Sequence, residues 1–219
     1  IPRIAAGLAK LTCNPDLMMT DGETFLISKP VPMGKRNASA DLIEGYMNYS
    51  RVFENLWGGH RHAMVTPTQL DSFGQTNISC IGDHTNPKVQ LLGVRGFPGN
   101  FISHKNSIFI PNHSTKTFVE GEVDMVSGMG YNSHQAHAGK PEILSVVTNL
   151  GVFDFNGPNH QLQLLSLHPG VSVDDVCGNT GFDITIKSEE ETLLPSDEEL
   201  VLIREVLDPL GTRKLIFGE

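Results

Sequence analysis

The chain has 219 residues, of which 39% are hydrophobic, and a formal net charge of −9. This length is enough to bury one substantial hydrophobic core. The acidic balance excludes a general electrostatic affinity for nucleic acid or anionic membranes, which needs a basic surplus, although a local basic pocket for a phosphorylated cofactor remains compatible with it.

The N-terminal quarter is predicted to contain a few short helices and strands on either side of a polar surface loop. Hydrophobic spacing predicts helices, short apolar runs predict strands, and turn-forming residues predict loops. The predicted elements are the end of a helix at residues 3–12, a short buried strand at 17–20, a surface loop at 28–45, a short helix at 53–57 and a strand at 63–65.

Strands dominate the middle of the chain, where short apolar runs are bounded by Gly, Pro or Asn. These runs are residues 78–81, 89–92, 107–110, 117–119 and 123–126. A pair of antiparallel strands is predicted at residues 144–155 and 162–167, joined by a turn at 156–159.

Two helix starts are marked by capping patterns. Ser172 with Asp175 predicts a cap before a short helix, and Ser196 with Glu199 predicts the start of the C-terminal helix, which Pro209 ends. A strand is predicted between them, at residues 182–186.

The mix of buried runs and a few helices predicts an α/β protein with one open mixed sheet and helices layered on its faces. We see no internal repeat and no linker, so residues 1–219 are expected to form a single domain. The chain begins at Ile1 within a helical pattern and without Met. We therefore expect an N-terminal segment to be missing from it.

The cysteines point to a reducing compartment. Cys13, Cys80 and Cys177 are an odd number at long spacings, which predicts buried free thiols and no disulfide framework. No apolar run reaches the roughly 18 residues that a membrane-spanning helix needs. We therefore expect a cytoplasmic protein.

A cluster of glycines follows a predicted strand. Gly93, Gly96 and Gly99 lie within seven residues, together with Arg95 and Asn100, and we call residues 93–100 the glycine loop. Glycines free backbone N–H groups to face a phosphate, a carboxylate or a thioester oxyanion. A plain glycine-rich turn is the alternative. A dinucleotide site would need a helix next, and the short interval before the following strand argues against it.

An acidic turn ends the first predicted strand. Asp21 and Glu23 flank Gly22, and ligands of open α/β sheets bind at the carboxyl ends of strands. A carboxylate there could be a nucleophile or a general base. Asp-Gly is equally a common turn pair, with Glu23 solvated beyond it. The residues alone leave both interpretations open.

The histidines do not predict a metal site. The close pairs, His60 with His62 and His134 with His137, lack the i, i+4 spacing with a Glu base, and no Cys-x-x-Cys occurs. We expect structural or solvated histidines and no bound metal. Neither a Gly-x-Ser-x-Gly elbow nor a P-loop is present.

Several stretches together resemble the β-type subunits of the family I CoA-transferase superfamily. They are residues 14–16, residues 69–77 with Gln75 where Asn is usual, the glycine loop, and the tail stretches 167–172, 179–183, 203–205 and 208–209. The resemblance covers nearly the whole chain. It implies a layered α/β CoA-transferase (NagB/RpiA-like) fold and a heterodimer, or a dimer of heterodimers, with the site between the subunits.

Three stretches, residues 93–100, 126–131 and 149–155, resemble one branch more closely, the β subunit of the bacterial steroid ring-cleaving CoA hydrolase. This resemblance implies hydrolytic C–C cleavage that opens the last steroid ring of a cyclic keto acyl-CoA, during cholesterol or bile-acid breakdown. The implied partners are an α-type subunit and the acyl-CoA, without nucleic acid or membrane. Coenzyme A would be part of the substrate, with no tightly bound cofactor.

The acidic turn departs from the transferase pattern, in which a Glu after the first strand precedes a small residue and Gly and forms a glutamyl-CoA thioester. Here Asp21 precedes Gly22 and Glu23 follows it. A shift of one residue in an extended segment turns a side chain to the opposite face. This favours a hydrolase, with the main catalytic carboxylate on the α subunit and supporting, water-orienting roles for Asp21 and Glu23.

The resemblance also implies a role for the glycine loop. Its residues Gly93, Gly96, Gly99 and Asn100 would line the thioester pocket, and Arg95 would bind a substrate carboxylate. Two alternatives remain. One is a 3-oxoacid or glutaconate-type CoA-transferase that uses the acidic turn covalently, and the other is a catalytically inert subunit that completes its partner.

Overall fold

The computed structural model describes residues 1–20, 24–34, 42–59, 62–94, 96–103, 105–132 and 141–217. The chain divides into two compact units. The first comprises residues 1–53 with 193–219, and the second comprises residues 54–192.

The elements are numbered in chain order. The helices are α1 (Pro2–Leu11), α2 (Tyr49–Trp57), α3 (Phe97–Ser103), α4 (Val173–Gly178), α5 (Asp197–Val201) and α6 (Lys214–Phe217). The strands are β1 (Met19–Thr20), β2 (Phe25–Ile27), β3 (Ile43–Tyr46), β4 (Ala63–Val65), β5 (Gln69–Leu70), β6 (Thr76–Asn77), β7 (Cys80–Ile81), β8 (Val89–Gln90), β9 (Lys105–Ile110), β10 (Glu142–Thr148), β11 (Gly151–Asp154), β12 (Gln163–Leu167) and β13 (Thr185–Ile186).

The first unit contains a small antiparallel sheet in the order β1-β2-β3. Met19 pairs with Ile27 across β1 and β2, and both side chains are buried with Val31. The predicted cap at Ser196 is confirmed. The Ser196 hydroxyl accepts a hydrogen bond from the Glu199 N–H, and the Glu199 carboxylate accepts one from the Ser196 N–H. Helix α5 continues as a π-helical turn, Leu202–Leu207.

Asp208 fixes the turn that follows this helix. Its side chain is buried and accepts hydrogen bonds from the N–H and hydroxyl of Thr212 and from the N–H and guanidinium of Arg213. Burial by itself raises the pKa of Asp208, but these hydrogen bonds outweigh it and bring the pKa down to about 2. The ionised form is therefore part of the folded turn.

We predict that Asp208→Asn lowers the free energy of unfolding at pH 7 by about 2 kcal/mol, because the Asn amide nitrogen would face Arg213 N–H groups instead of accepting from them. The folded pKa lies below the ordinary 3.8. The stabilisation is therefore fully present above pH 3.8 and is lost as the pH falls through about 2. Urea unfolding at pH 7 and pH 3 measures this, with the exposed Asp16→Asn as a control that should change little. Equal losses in the two variants would contradict it.

The second unit contains a six-stranded mixed sheet in the order β13-β12-β11-β10-β9-β4. Strands β4, β9 and β10 are parallel, β11 is antiparallel to both its neighbours, and β13 is parallel to β12. One face carries the core, in which Ile108, Val146, Phe153 and Leu164 are almost fully buried. The open mixed sheet with helices is therefore confirmed.

Three predictions for this unit are wrong in detail. Residues 144–155 are two strands rather than one, because Thr148 Oγ1 accepts the N–H groups of Leu150 and Gly151 and turns the chain. Residues 117–119 and 123–126 are turns and bends, and Phe118 makes a single bridge to Leu70. The interval after the glycine loop was predicted to be too short for a helix, but the second half of the loop begins helix α3, Phe97–Ser103.

The cap predicted at Ser172 is confirmed, since Ser172 and Asp175 exchange both bonds of a capping box. The three cysteines are free, as predicted, but only Cys80 is buried, whereas Cys13 and Cys177 are exposed. Among the described helices, none combines the length and the apolar character that crossing a membrane requires.

Candidate active site

The glycine loop begins as a tight turn and ends in a helix. Gly93 has φ +118°, a conformation that side chains disfavour, and a Cβ there would lie 3.4 Å from Ile78 Cδ1. The Phe97 N–H donates to Val94 O and the Asn100 N–H to Gly96 O. These two N–H groups are used within the loop. The prediction that backbone N–H groups of this loop bind a ligand therefore applies only to its other residues.

Asp71 organises the segment from residue 71 to 79, which we call the Asp loop. Its Oδ1 accepts the N–H groups of Phe73 and Gln75 at 3.0 and 2.9 Å. Gly74 turns the loop at φ +84°, and a Cβ there would lie 3.0 Å from the Phe155 ring. Asn77 closes the loop by donating to Gln69 Oε1 and Cys80 O and accepting from the Ser79 N–H.

The Asp loop is joined to residues 127–131, which we call the Gly-x-Gly segment. The Thr76 N–H donates to Gly128 O at 3.0 Å, and the Tyr131 N–H donates to Phe73 O at 2.7 Å. A Cβ on Gly130 would lie 2.4 Å from Gln75 N and 2.4 Å from Phe73 O. Only glycine permits this approach of two backbones without a shift of one of them.

The glycine loop and α3 pack on the same two segments. A Cβ on Gly128 would lie 2.6 Å from the Phe101 ring of α3, and Ile78 lies beneath Gly93. The stretches 71–79, 93–100 and 127–131, which are far apart in the sequence, therefore form one continuous cluster. Phe155, from the stretch at 149–155, contacts it through Gly74.

Gln75 lies between two carboxylates in this cluster. With its amide nitrogen facing them, Nε2 donates to Asp71 Oδ2 at 2.6 Å and to Glu122 Oε1 at 3.0 Å. Asp71 and Gln75 are each 1% exposed. Burial raises the pKa of Asp71 to about 7, the N–H groups of Gln75 and Phe73 oppose this rise, and the negative charge of Glu122 adds to it. Residues 69–77 were recognised by their resemblance to a family stretch, but no sequence pattern indicated the bridge to Glu122.

Three predicted site residues, Asp21, Glu23 and Arg95, lie outside the described residues. The structure places the others, Gly93, Gly96, Gly99 and Asn100, in one loop and helix start. The catalytic and pocket roles of all seven stay predictions.

His113 is a buried histidine that the sequence did not single out. It follows the carboxyl end of β9, and its ring stacks on Phe118 with centroids 3.7 Å apart. Nδ1 lies 3.2 Å from Thr148 Oγ1 and Nε2 lies 3.0 Å from Thr180 Oγ1. Burial lowers the pKa of His113 to about 4, so it is neutral at pH 7.

The hydroxyl partners fix the tautomer of His113. Thr180 Oγ1 donates to Val176 O, so it accepts from Nε2–H. Thr148 Oγ1 accepts two backbone N–H groups, and its own proton is then available to Nδ1. Both ring nitrogens are satisfied, which is typical of a structural histidine. The position of His113 just after a predicted strand was the one sequence feature that could have drawn attention to it.

A half-open cleft of about 450 Å³ lies beside Thr180. Its lining residues are Cys177, Thr180, Gly181, Phe182, Asp183 and Ile184. None of the predicted site residues that the structure describes lines it. Among the described residues, no group of three or more His, Cys, Asp or Glu side chains is arranged to hold a metal ion. Most of the paired histidines lie outside those residues, so the absence of a metal site stays a prediction.

The architecture defines the class of the protein. It superposes on the crystal structure of glutaconate coenzyme A-transferase from Acidaminococcus fermentans with a TM-score of 0.79, at 23% identity, covering 95% of this chain and 85% of that chain. It superposes on the crystal structure of Rhodococcus jostii RHA1 IpdAB with a TM-score of 0.89, at 42% identity, covering 98% of this chain and 86% of that chain. The protein therefore has the predicted CoA-transferase fold.

Sequence comparison identifies the branch. The chain is 44% identical over 216 residues to the cholesterol ring-cleaving hydrolase IpdB subunit of Mycobacterium tuberculosis, covering 96% of this chain and 85% of that protein. The chain belongs to the family of these IpdB subunits, which confirms the predicted resemblance. It is 29% identical over 217 residues to a 3-oxoadipate CoA-transferase subunit of Pseudomonas knackmussii, covering 93% of this chain and 82% of that protein. No family model matches the chain.

Proposed function

We propose that this chain is the β-type subunit of a heteromeric acyl-CoA hydrolase that opens the last ring of a degraded steroid. The observation that carries the proposal is its membership of the IpdB family, at 44% identity over 96% of the chain. The active enzyme would need an α-type partner, as in the similar structure of IpdAB. Coenzyme A would be part of the substrate, and the enzyme would need no tightly bound cofactor. It would work in the cytoplasm.

The proposed reaction is a hydrolytic retro-Claisen cleavage of a cyclic keto acyl-CoA. Water adds to the ring ketone, with its proton taken by a carboxylate base, and the resulting alkoxide collapses. The C–C bond breaks, and its electron pair moves to the carbon beside the thioester, as an enolate. A proton then reaches that carbon. The product has one new carboxylate and retains the thioester.

The glycine loop has the features that suit the enolate stage of this reaction. Negative charge develops on the thioester oxygen, and backbone N–H groups held by a rigid cluster stabilise such an oxyanion. Gly93 and Gly96 are the positions where the chain can approach the thioester closely, and Arg95 would bind a carboxylate of the substrate by a two-point contact.

The carboxylate base is assigned to the partner subunit. In this chain the acidic turn has Asp21 and Glu23 on the two sides of Gly22, which does not match the transferase order. We assign to them the orientation of water or of the base. The competing function is a CoA-transferase in which the carboxylate of Asp21 or Glu23 forms a thioester with coenzyme A. The 29% identity to a CoA-transferase subunit supports it as the alternative.

Mass spectrometry of the reaction separates the two functions. We predict that the chain, assembled with its α-type subunit, converts a cyclic keto acyl-CoA to a product heavier by one water, without release of free CoA thiol. Hydroxylamine or borohydride added during turnover should leave Asp21 and Glu23 unmodified. A labelled adduct on either residue, or dependence on a second acid as acceptor, would contradict the hydrolase.

The same assay tests whether the chain is an inert subunit. Arg95→Ala in an intact heteromer should lower kcat/KM by about 100-fold, the cost of losing a charged two-point contact that orients the substrate. The matched control is Arg51→Ala, an exposed arginine on α2 outside the glycine loop. Full turnover by the Arg95 variant would favour the inert subunit.

A further inference from the structure

We infer that Gln75 is a positioning residue for the glycine loop. By bridging Asp71 and Glu122, Gln75 holds the Asp loop in place, and the glycine loop packs on the Asp loop. This inference rests on the proposed function, in which the glycine loop binds the thioester. Gln75 itself would touch neither substrate nor reacting atoms.

The length of the side chain matters for the bridge. The Gln75 amide reaches Asp71 Oδ2 at 2.6 Å and Glu122 Oε1 at 3.0 Å from one nitrogen. Asn, one methylene shorter, could not reach both carboxylates from the same backbone position. The bridge ties the Asp loop to the segment that leads into the Gly-x-Gly segment.

The bridge also removes an electrostatic conflict. Asp71 is 1% exposed, and Glu122, which is exposed, acts on it with the same sign of charge. A donor placed between two carboxylates lowers their mutual repulsion and satisfies the buried one. Without it, the carboxylates would move apart or one would be protonated.

A displacement of the Asp loop would pass directly to the glycine loop. Gly130 lies against the backbone at Gln75, with no space for a Cβ, and Gly128 lies against both Thr76 and Phe101. Ile78 lies under Gly93 and donates its N–H to Ser127 Oγ. A Cβ added at Gly128 or Gly130 would overlap these neighbours, and one at Gly93 would be in van der Waals contact with Ile78. The segments are therefore packed so closely that a shift of one displaces the next.

The bridge requires Asp71 as an acceptor, which makes it sensitive to pH. The other groups packed on the Asp loop are Tyr131, whose pKa is raised by burial, and the apolar Ile143 and Phe155. Glu122 is therefore the charged neighbour that acts on Asp71. Burial raises the Asp71 pKa to about 7 and the negative charge of Glu122 adds to this rise, whereas the Gln75 amide, as a donor to the carboxylate, opposes it. Activity should rise with pH through this titration, and neutralising Glu122 should move the rise to lower pH.

The experiment compares pH profiles of kcat/KM for the assembled heteromer with a cyclic keto acyl-CoA. We expect Gln75→Met and Gln75→Asn to lower kcat/KM by about 10- to 100-fold at pH 7.5, the cost of misplacing a binding group by up to about 1 Å. Glu122→Gln, at an exposed position, keeps an acceptor for Gln75 and should shift the rising limb to lower pH.

Gln163→Met is the matched control. Gln163 is also a buried glutamine that donates to a buried aspartate, Asp154, but its bond joins β11 and β12. It should lose comparable stability and keep the wild-type pH profile. A Gln163 variant with the altered profile would reduce the role of Gln75 to general stability.

The outcomes distinguish the two proposals. A wild-type heteromer that cleaves no C–C bond contradicts the proposed function. An active wild type whose pH profile is unchanged by Glu122→Gln, or whose kcat/KM is unchanged in the Gln75 variants, contradicts the positioning role. Should Gln75→Met fail to fold, Gln75→Asn and Glu122→Gln still decide.

Discussion

Gly130→Ala is expected to lower the free energy of unfolding by about 3 kcal/mol and to reduce activity of the heteromer more than 10-fold. The added Cβ would stand 2.4 Å from both Gln75 N and Phe73 O. Both atoms belong to the backbone, so no side-chain rotation can relieve the overlap. Forcing extra atoms into a packed region costs about 1–3 kcal/mol, and backbone contacts put this site at the upper end.

The substitution should act on the site as well as on stability. The Tyr131 N–H bond to Phe73 O, 2.7 Å long, joins the Gly-x-Gly segment to the Asp loop next to the overlap. Separating the segments lengthens that bond and moves the base of the glycine loop. Denaturant unfolding and kcat/KM with a cyclic keto acyl-CoA measure the two effects.

Gly178→Ala is the control for this prediction. Gly178 ends α4, is exposed, and a Cβ there would have nothing within 4 Å. Alanine should keep the stability or raise it by up to about 1 kcal/mol. Equal stabilities of the Gly130 and Gly178 variants would mean that the close approach at Gly130 is not rigid.

Local signals in the sequence predicted the starts of two helices, α4 and α5, well. A Ser followed three residues later by Glu or Asp forms both bonds of a capping box inside one turn, so the pattern at Ser196 and at Ser172 determines the geometry directly. Strands were harder to predict. The apolar run from 144 to 155 hides a reversal, because the Thr148 hydroxyl, rather than Gly or Pro, supports the turn.

The candidate site could be recognised but not assembled from the sequence. The glycine loop and the 126–131 stretch were identified as motifs, yet their contact through Phe101 and Gly128 depends on tertiary packing. The Gln75 bridge involves Glu122, which lies far along the chain in a segment without regular structure. Pairings of this kind have no periodic signature, so sequence patterns cannot predict them.

The formation of helix α3 also depends on tertiary packing that sequence patterns do not show. Residues 97–103 contain Pro98 and Gly99, which disfavour the interior of a helix but are tolerated in its first turn. Phe97 and Phe101, one helical turn apart, are both buried in the core, with ring centroids 5.2 Å apart. Burial of this pair stabilises a helix that propensity alone does not predict.

His113 gives the second large effect, an acid-dependent loss of stability. The pKa of His113 is lowered by burial from 6.5 to about 4. Its neutral form therefore contributes stability that is fully present above pH 6.5 and is lost as the pH falls through about 4. Because one pKa unit corresponds to about 1.4 kcal/mol, the full effect approaches about 3 kcal/mol.

Two substitutions separate titration from packing. His113→Phe keeps an aromatic ring against Phe118, and Thr180 retains its bond to Val176 O, so the loss at pH 7 should be about 1 kcal/mol. His113→Ala also loses the stacking and leaves a cavity, so we expect about 3 kcal/mol.

The pH dependence is the decisive measurement, made by urea unfolding at intervals from pH 7 to pH 4. Neither variant can titrate at residue 113, so the difference between His113→Phe and His113→Ala should stay constant across this range. The wild type should lose stability relative to both as the pH falls, and His113→Phe should become the more stable protein near pH 4. A constant gap between wild type and His113→Phe would mean that the buried imidazole accepts a proton without cost, and that the hydroxyls of Thr148 and Thr180 rearrange to receive it.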